Sequence, residues 1–153
     1  MPFQVPLEGS SFFQGVRAET LGRIASIAEE VRLPAGSAIF QEGDRASHLY
    51  VLGEGGVELT YVIRCRSPIT MTIAAIAPGD VFGWSALARN ENFTGNARTV
   101  AESGAYRIPA GGLFPILDDD PAAGYLVMSR LAQIISRRMH DVRTEIRWFL
   151  SSM

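Results

Sequence analysis

The residues best suited to chemistry lie between Pro78 and Val100: P-G-D-V-F-G-W-S-A-L-A-R-N-E-N-F-T-G-N-A-R-T-V. A turn at Pro78-Gly79-Asp80 leads into an apolar pair, a glycine and then Trp84-Ser85-Ala86-Leu87. The polar segment Arg89 to Asn92 follows, and the chain returns to strand-like Arg98-Thr99-Val100. Strand, glycine, short helical turn, polar loop and strand is a layout able to hold a small anion on backbone N–H groups. Other reactive side chains are sparse. Cys65 is the single cysteine and stands between two arginines, so it makes no internal disulfide and no cysteine zinc site, and it reads as inert. His48 and His140 are far apart, with no ligand spacing around them, so no metal is expected. All 14 basic residues are arginine. Without lysine there is no Schiff-base catalysis and no lysine-dependent phosphate loop.

The elements that hold this stretch follow from the pattern of the chain around it. Ser10 to Ala28 repeats Leu21, Ile24 and Ile27 at helical spacing, which predicts an N-terminal helical segment over about residues 10–30. From Val31 to Ile108 short apolar bursts alternate with turn signals such as Gly43-Asp44, Gly53-Glu54-Gly55-Gly56 and Pro78-Gly79-Asp80. Val57, Leu59 and Tyr61 alternate with Glu58, Thr60 and Val62, the period of a half-buried strand. Many short strands at close spacing predict a small antiparallel barrel or jelly roll over 31–108. Helix signals return over 109–150. Leu113 to Leu117 is expected to make a short turn. Asp120 fits an N-cap and Pro121 the first helical position of a second, long helix. Nothing breaks that helix from Ala122 to about Leu150, and Leu126, Leu131, Ile134, Ile135, Met139, Val142, Ile146 and Phe149 give it one apolar stripe. At roughly 1.5 Å per residue it reaches about 40 Å, longer than a small barrel can cover. Its second half is therefore expected to meet another copy of itself, so the chain is read as a homodimer through 122–150.

The 153 residues suit one domain, residues 1–153, with a real core. A net charge of −2 offers no attraction to nucleic acid or to an anionic membrane. No signal pattern and no membrane-length apolar run stands out, so a soluble cytoplasmic protein is expected.

The stretches L33-P-A-G-S-A-I-F-Q-E-G-D44, L49-Y-V-L-G-E-G-G-V-E-L59, P78-G-D-V-F-G83, Ala86-Leu87 and D119-D-P-A-A-G-Y-L-V-M-S-R-L131 together resemble the cyclic nucleotide-binding domain family. That family includes the catabolite activator protein, kinase regulatory subunits and cyclic-nucleotide-gated channels. The resemblance implies a mainly β fold, a double-stranded β-helix (jelly-roll) barrel with an N-terminal helix and a long C-terminal helix. It also implies a non-catalytic regulatory module.

In family members that bind cyclic nucleotides, the phosphate cassette reads Phe-Gly-Glu, an Ala-Leu pair, then Pro-Arg and a small hydroxyl or Ala. The Glu takes the ribose hydroxyl and the Arg pairs with the cyclic phosphate. Laid down from Phe82-Gly83, the resemblance puts Trp84 at the Glu position and Asn92-Phe93 at the Pro-Arg positions, and it keeps Thr94 as the hydroxyl. An anion without its cation forfeits a charge-assisted pair of about 1.5–3 kcal/mol. Phe93 would also desolvate it, and Trp84 cannot accept a hydrogen bond. What remains of the site is Phe82, Gly83, Ser85, Ala86 and Thr94, with the backbone N–H groups near Ser85 and Ala86. Arg89 and Arg98 are nearby cations. Bringing Arg98 into the pocket needs a register shift that breaks the downstream match. Two readings stay open: Trp84 and Phe93 fill the vacated pocket as core, or they line a site for an apolar or aromatic ligand.

The expected function is thus a sensor module with lost or altered cyclic nucleotide binding, signalling through a dimeric long helix to a partner protein. Alternatives are a ligand-free dimeric interaction scaffold, docking through Trp148-Phe149-Leu150, and a functional cAMP or cGMP binder with non-standard contacts. No cofactor beyond such a small ligand is implied. The family's transcription factors carry a helix-turn-helix after the long helix, and this chain ends at Ser151-Ser152-Met153, so DNA binding is not expected.

Overall fold

The computed structural model describes residues 2–153. Two four-stranded antiparallel sheets face each other, with helices at both ends of the chain. The strands are β1 (Glu29–Leu33), β2 (Ala38–Phe40), β3 (His48–Glu54), β4 (Val57–Ile63), β5 (Ile69–Ile76), β6 (Val81–Phe82), β7 (Asn96–Thr99) and β8 (Ser103–Pro109). One sheet runs β1-β8-β3-β6 and the other β2-β7-β4-β5. This is the mainly β, jelly-roll-like architecture with flanking helices that the pattern of short strands and turns predicts.

The apolar run Leu49-Tyr50-Val51-Leu52 of β3 shows why the core is double. Successive side chains of a strand point to opposite faces. Leu49 and Val51 enter a core shared with the helices, beside Phe13, Ile24, Ile108, Leu113 and Val127. Tyr50 and Leu52 enter the core between the sheets, beside Phe40, Val57, Phe82 and Phe93. A strand buried on both faces has no polar side to alternate with.

The expected helical segment over 10–30 is split. Short 3-10 turns at Leu7–Gly9 and Ser11–Phe13 precede helix α1 (Ala18–Ile27). Gly15 adopts φ +89°, which interrupts any continuous helix. Downstream, Glu29 and Glu30 pair as strand with Arg107 and Tyr106, and the Arg107 guanidinium donates to Glu29 at 3.1 Å. Leu113 to Leu117 belongs to a ten-residue helix, α2 (Ala110–Asp119), which buries Leu113, Ile116 and Leu117. Pro115 sits inside it. The carbonyl deprived of a donor is that of exposed Gly111, where water can serve.

Helix α3 (Pro121–Ser151) has 31 residues, about 46 Å at the standard rise. The Asp120 carboxylate caps it, accepting from the Ala123 N–H at 3.2 Å. The same carboxylate accepts from the Thr20 hydroxyl at 2.6 Å and from Arg17 Nε at 3.1 Å, which ties α3 to α1. Only the first third of α3 is buried, at Ala123, Val127 and Leu131. No helix among the described residues is long and apolar enough to cross a membrane.

Candidate functional site

The stretch after β6 is shaped by its backbone. Gly83 takes φ +73° directly before the 3-10 turn Trp84–Ala86. A Cβ there would come within 2.9 Å of the Tyr50 ring, so both conformation and space require glycine. The polar loop that follows is held to the segment after β2. Phe93 N–H donates to the Asp44 carbonyl at 2.8 Å, and Gly43 N–H donates to the Phe93 carbonyl at 2.9 Å. Ala46 N–H reaches the Glu91 carbonyl at 3.0 Å. Two backbone bonds on Phe93 thus anchor the main chain from which its ring projects.

That ring stacks on Phe40 with centroids 3.8 Å apart and planes at 10°. It is buried, and it continues into a stack in which Phe40, Tyr50 and Phe82 succeed one another. Trp84 is half-buried and packs against both cores. The aromatics do not close the space between them. A cleft of about 420 Å³ remains, a size suited to a small molecule.

The cassette, the β2-β7-β4-β5 sheet and α3 form the cleft's walls. The cassette gives Gly83, Trp84, Ser85, Ala88, Asn90, Phe93, Thr94 and Gly95; β2 gives Phe40 and β7 gives Asn96. The sheet contributes Leu59, Thr60, Tyr61 and Ile73. Opposite them stand Ile135, Arg138, Met139, Val142 and Arg143 of α3. A bulge shapes the sheet wall. Leu59 pairs with Ala74 but Thr60 with Thr72, so Ile73 is an extra residue in β5. Past that bulge burial departs from the alternation of β4, since Thr60 is buried.

Of the site residues read from sequence, Gly83, Trp84, Ser85, Phe93 and Thr94 come together on the cleft. Phe82 and Ala86 are buried behind it in the core between the sheets. The Ala86 N–H is taken by the Gly83 carbonyl at 3.4 Å. Neither nearby cation joins them. Arg98 pairs with Glu58 at 3.7 Å on the exposed side of β7. Arg89, at φ +59°, lays its guanidinium over the Phe114 ring, 4.0 Å from the centroid. The α3 residues were missed as site residues. Their apolar members were legible as a stripe, but the stripe does not say which surface it faces. Cys65 is exposed at the hairpin tip, with Sγ 3.0 Å from the Ser67 carbonyl oxygen. His48 is held toward its neutral form by burial and by Arg107. No group of three or more metal-ligating side chains occurs among the described residues.

Residues 30–120, which hold all but the first residue of the two sheets and include the cassette, match the sequence profile of the cyclic nucleotide-binding domain. The chain belongs to the cyclic nucleotide-binding domain family. Among solved structures, a candidate cyclic nucleotide-binding protein from Geobacter metallireducens GS-15 is 34% identical, with a TM-score of 0.73 over 88% of this chain and 96% of that one. The Thermus thermophilus catabolite activator protein shares the fold at a TM-score of 0.73 and 24% identity, over 92% of this chain. A CRP-like cAMP-activated global transcriptional regulator of Mycobacterium tuberculosis is 23% identical over 140 residues. This chain spans about 60% of that curated relative's length. As a cyclic nucleotide-binding domain it is a regulatory, catabolite activator-like sensor fold. Its cleft differs in chemistry from a phosphate cradle: the cassette side is aromatic and uncharged, and the charges stand on α3.

Proposed function

We propose that this domain is a non-catalytic sensor whose cassette cleft no longer holds a cyclic nucleotide in the family's manner and takes a different small ligand. One observation carries this reading: Trp84 and Phe93 wall an open cleft of about 420 Å³ to which no cassette cation contributes. Losing both the phosphate pair and the ribose acceptor removes about 3 kcal/mol or more, over a hundredfold in affinity. The remaining space and its apolar walls favour an altered ligand over a pocket filled completely by core.

Signalling is proposed to run through a homodimer of α3. Met128, Ala132, Ile135, Met139, Val142, Ile146, Phe149 and Met153 recur at alternating steps of four and three, the heptad of a two-helix seam. Met139, Ile146 and Met153 of this row are exposed in the single chain. Ile135, Met139 and Val142 belong both to the row and to the cleft, so a ligand there would touch the seam directly. Such a ligand would bias the helix pair by its differential fit to two arrangements.

The test is a titration with cyclic AMP and cyclic GMP, read by Trp84 fluorescence in a Trp148→Phe background and by melting temperature. No saturable response is expected. Micromolar binding of either nucleotide overturns the reading. Sedimentation is expected to give a dimer at micromolar concentration, and a monomer removes the seam.

A further inference from the structure

The cleft's charge is one-sided. None of its lining residues is acidic, in a chain whose net charge is −2, and its two cations, Arg138 and Arg143, both come from α3. The Arg138 side chain is only 18% exposed, and its partner is Asp141, reached from Nη1 at 3.3 Å. Its Nε is buried without a hydrogen-bond partner. A buried donor left unpaired is costly. In a guanidinium, Nε and the adjacent Nη present the edge that receives an oxyanion in two parallel bonds. The cleft that Arg138 lines is also lined by the Phe93 ring, stacked on Phe40, and by Trp84, aromatics that suit a flat apolar body.

We infer that the ligand is a planar apolar molecule carrying one oxyanion, with its rings between the cassette aromatics and its anion on Arg138 of α3. This rests on the cassette cleft being a ligand site and adds the ligand's class and the residue that selects it. The cassette cation that Phe93 displaced is thus replaced from the opposite wall. The anion would sit on the helix that leaves the barrel.

A matched probe pair tests both statements separately. 8-Anilinonaphthalene-1-sulfonate carries the anion, and N-phenyl-1-naphthylamine has the same rings without it. Each is titrated into the full chain carrying Trp148→Phe and read by emission sensitised from Trp84. Both probes are expected to bind, the sulfonate more tightly. Arg138→Gln is expected to weaken the sulfonate roughly ten- to a hundredfold and to leave the neutral probe unchanged, which also shows that the variant is folded. Arg137→Gln, one residue away and outside the cleft wall, is expected to change neither. If Arg138→Gln leaves the sulfonate unaffected, or Arg137→Gln weakens it equally, Arg138 does not receive the anion and the cleft reading stands. If neither probe binds the unsubstituted cleft, the cleft reading itself falls.

Discussion

Replacing Phe93 by alanine asks how much of the fold rests on this ring at the cleft wall. Phe93 is 5% exposed and stacks on Phe40 at 3.8 Å. A buried phenylalanine truncated to alanine costs about 3–5 kcal/mol, the sum of lost transfer energy and a cavity. Stacking adds about 0.5–1.5 kcal/mol. One face of this ring borders the cleft, however, so the space left behind joins a volume that water can enter and the cavity contribution shrinks. The expected loss is therefore about 3 kcal/mol for Phe93→Ala. Phe82→Ala serves as the comparison. Phe82 is fully buried and stacks on Tyr50 at 5.2 Å away from the cleft, and it should lose about 4–5 kcal/mol. The assay is urea unfolding followed by Trp84 emission, with Trp148→Phe as the background and protein concentration held fixed because a dimer's stability depends on it. A loss below about 1 kcal/mol for Phe93→Ala refutes the reasoning, since the ring would then contribute little to the core.

Two further outcomes follow from the helices. In a parallel seam with Ile135 and Met139 at core positions, Arg138 and Arg143 flank it five residues apart, where one helix's arginine faces the other's. Arg143→Glu should turn two like-charge pairs into opposite ones and tighten the ligand-free dimer about fivefold, from about 0.5 kcal/mol per pair; sedimentation showing a weaker dimer counts against a parallel seam. The second outcome concerns pH. The Thr20 hydroxyl, and then the Ala123 N–H, hold the Asp120 carboxyl below the usual carboxylate range. A carboxylate with a depressed folded value stabilises above its unfolded value, about 3.9, and loses that contribution as pH falls through the lower folded one. Melting temperature should therefore drop below about pH 4, and Asp120→Asn should flatten that drop; an unchanged pH profile in the variant removes Asp120 from the acid transition.

Much of the site's frame was legible because it is local. Gly83 had to be glycine for a turn made within three residues, and the Asp120-Pro121 start of α3 is a contact between neighbours in sequence. The burial of Thr60 was not legible in the alternation of β4, and the bulge at Ile73 lies in the partner strand. No pattern within β4 records an extra residue in β5.

The sequence by itself determined the mainly β fold with flanking helices, the family, the Asp120-Pro121 start of the long helix, and the place of Trp84 and Phe93 in the stretch after Phe82. Turn glycines, caps and hydrophobic periods act over a few residues, so they can be read without the fold. Only the tertiary structure decided what the cleft became. Phe93 meets Phe40 across 53 positions of chain, Arg98 turns to Glu58, and Arg138 arrives from the far helix with its Nε unpaired. Those pairings are set by packing between distant segments, and packing gives the cleft an aromatic wall on one side and its charge on the other.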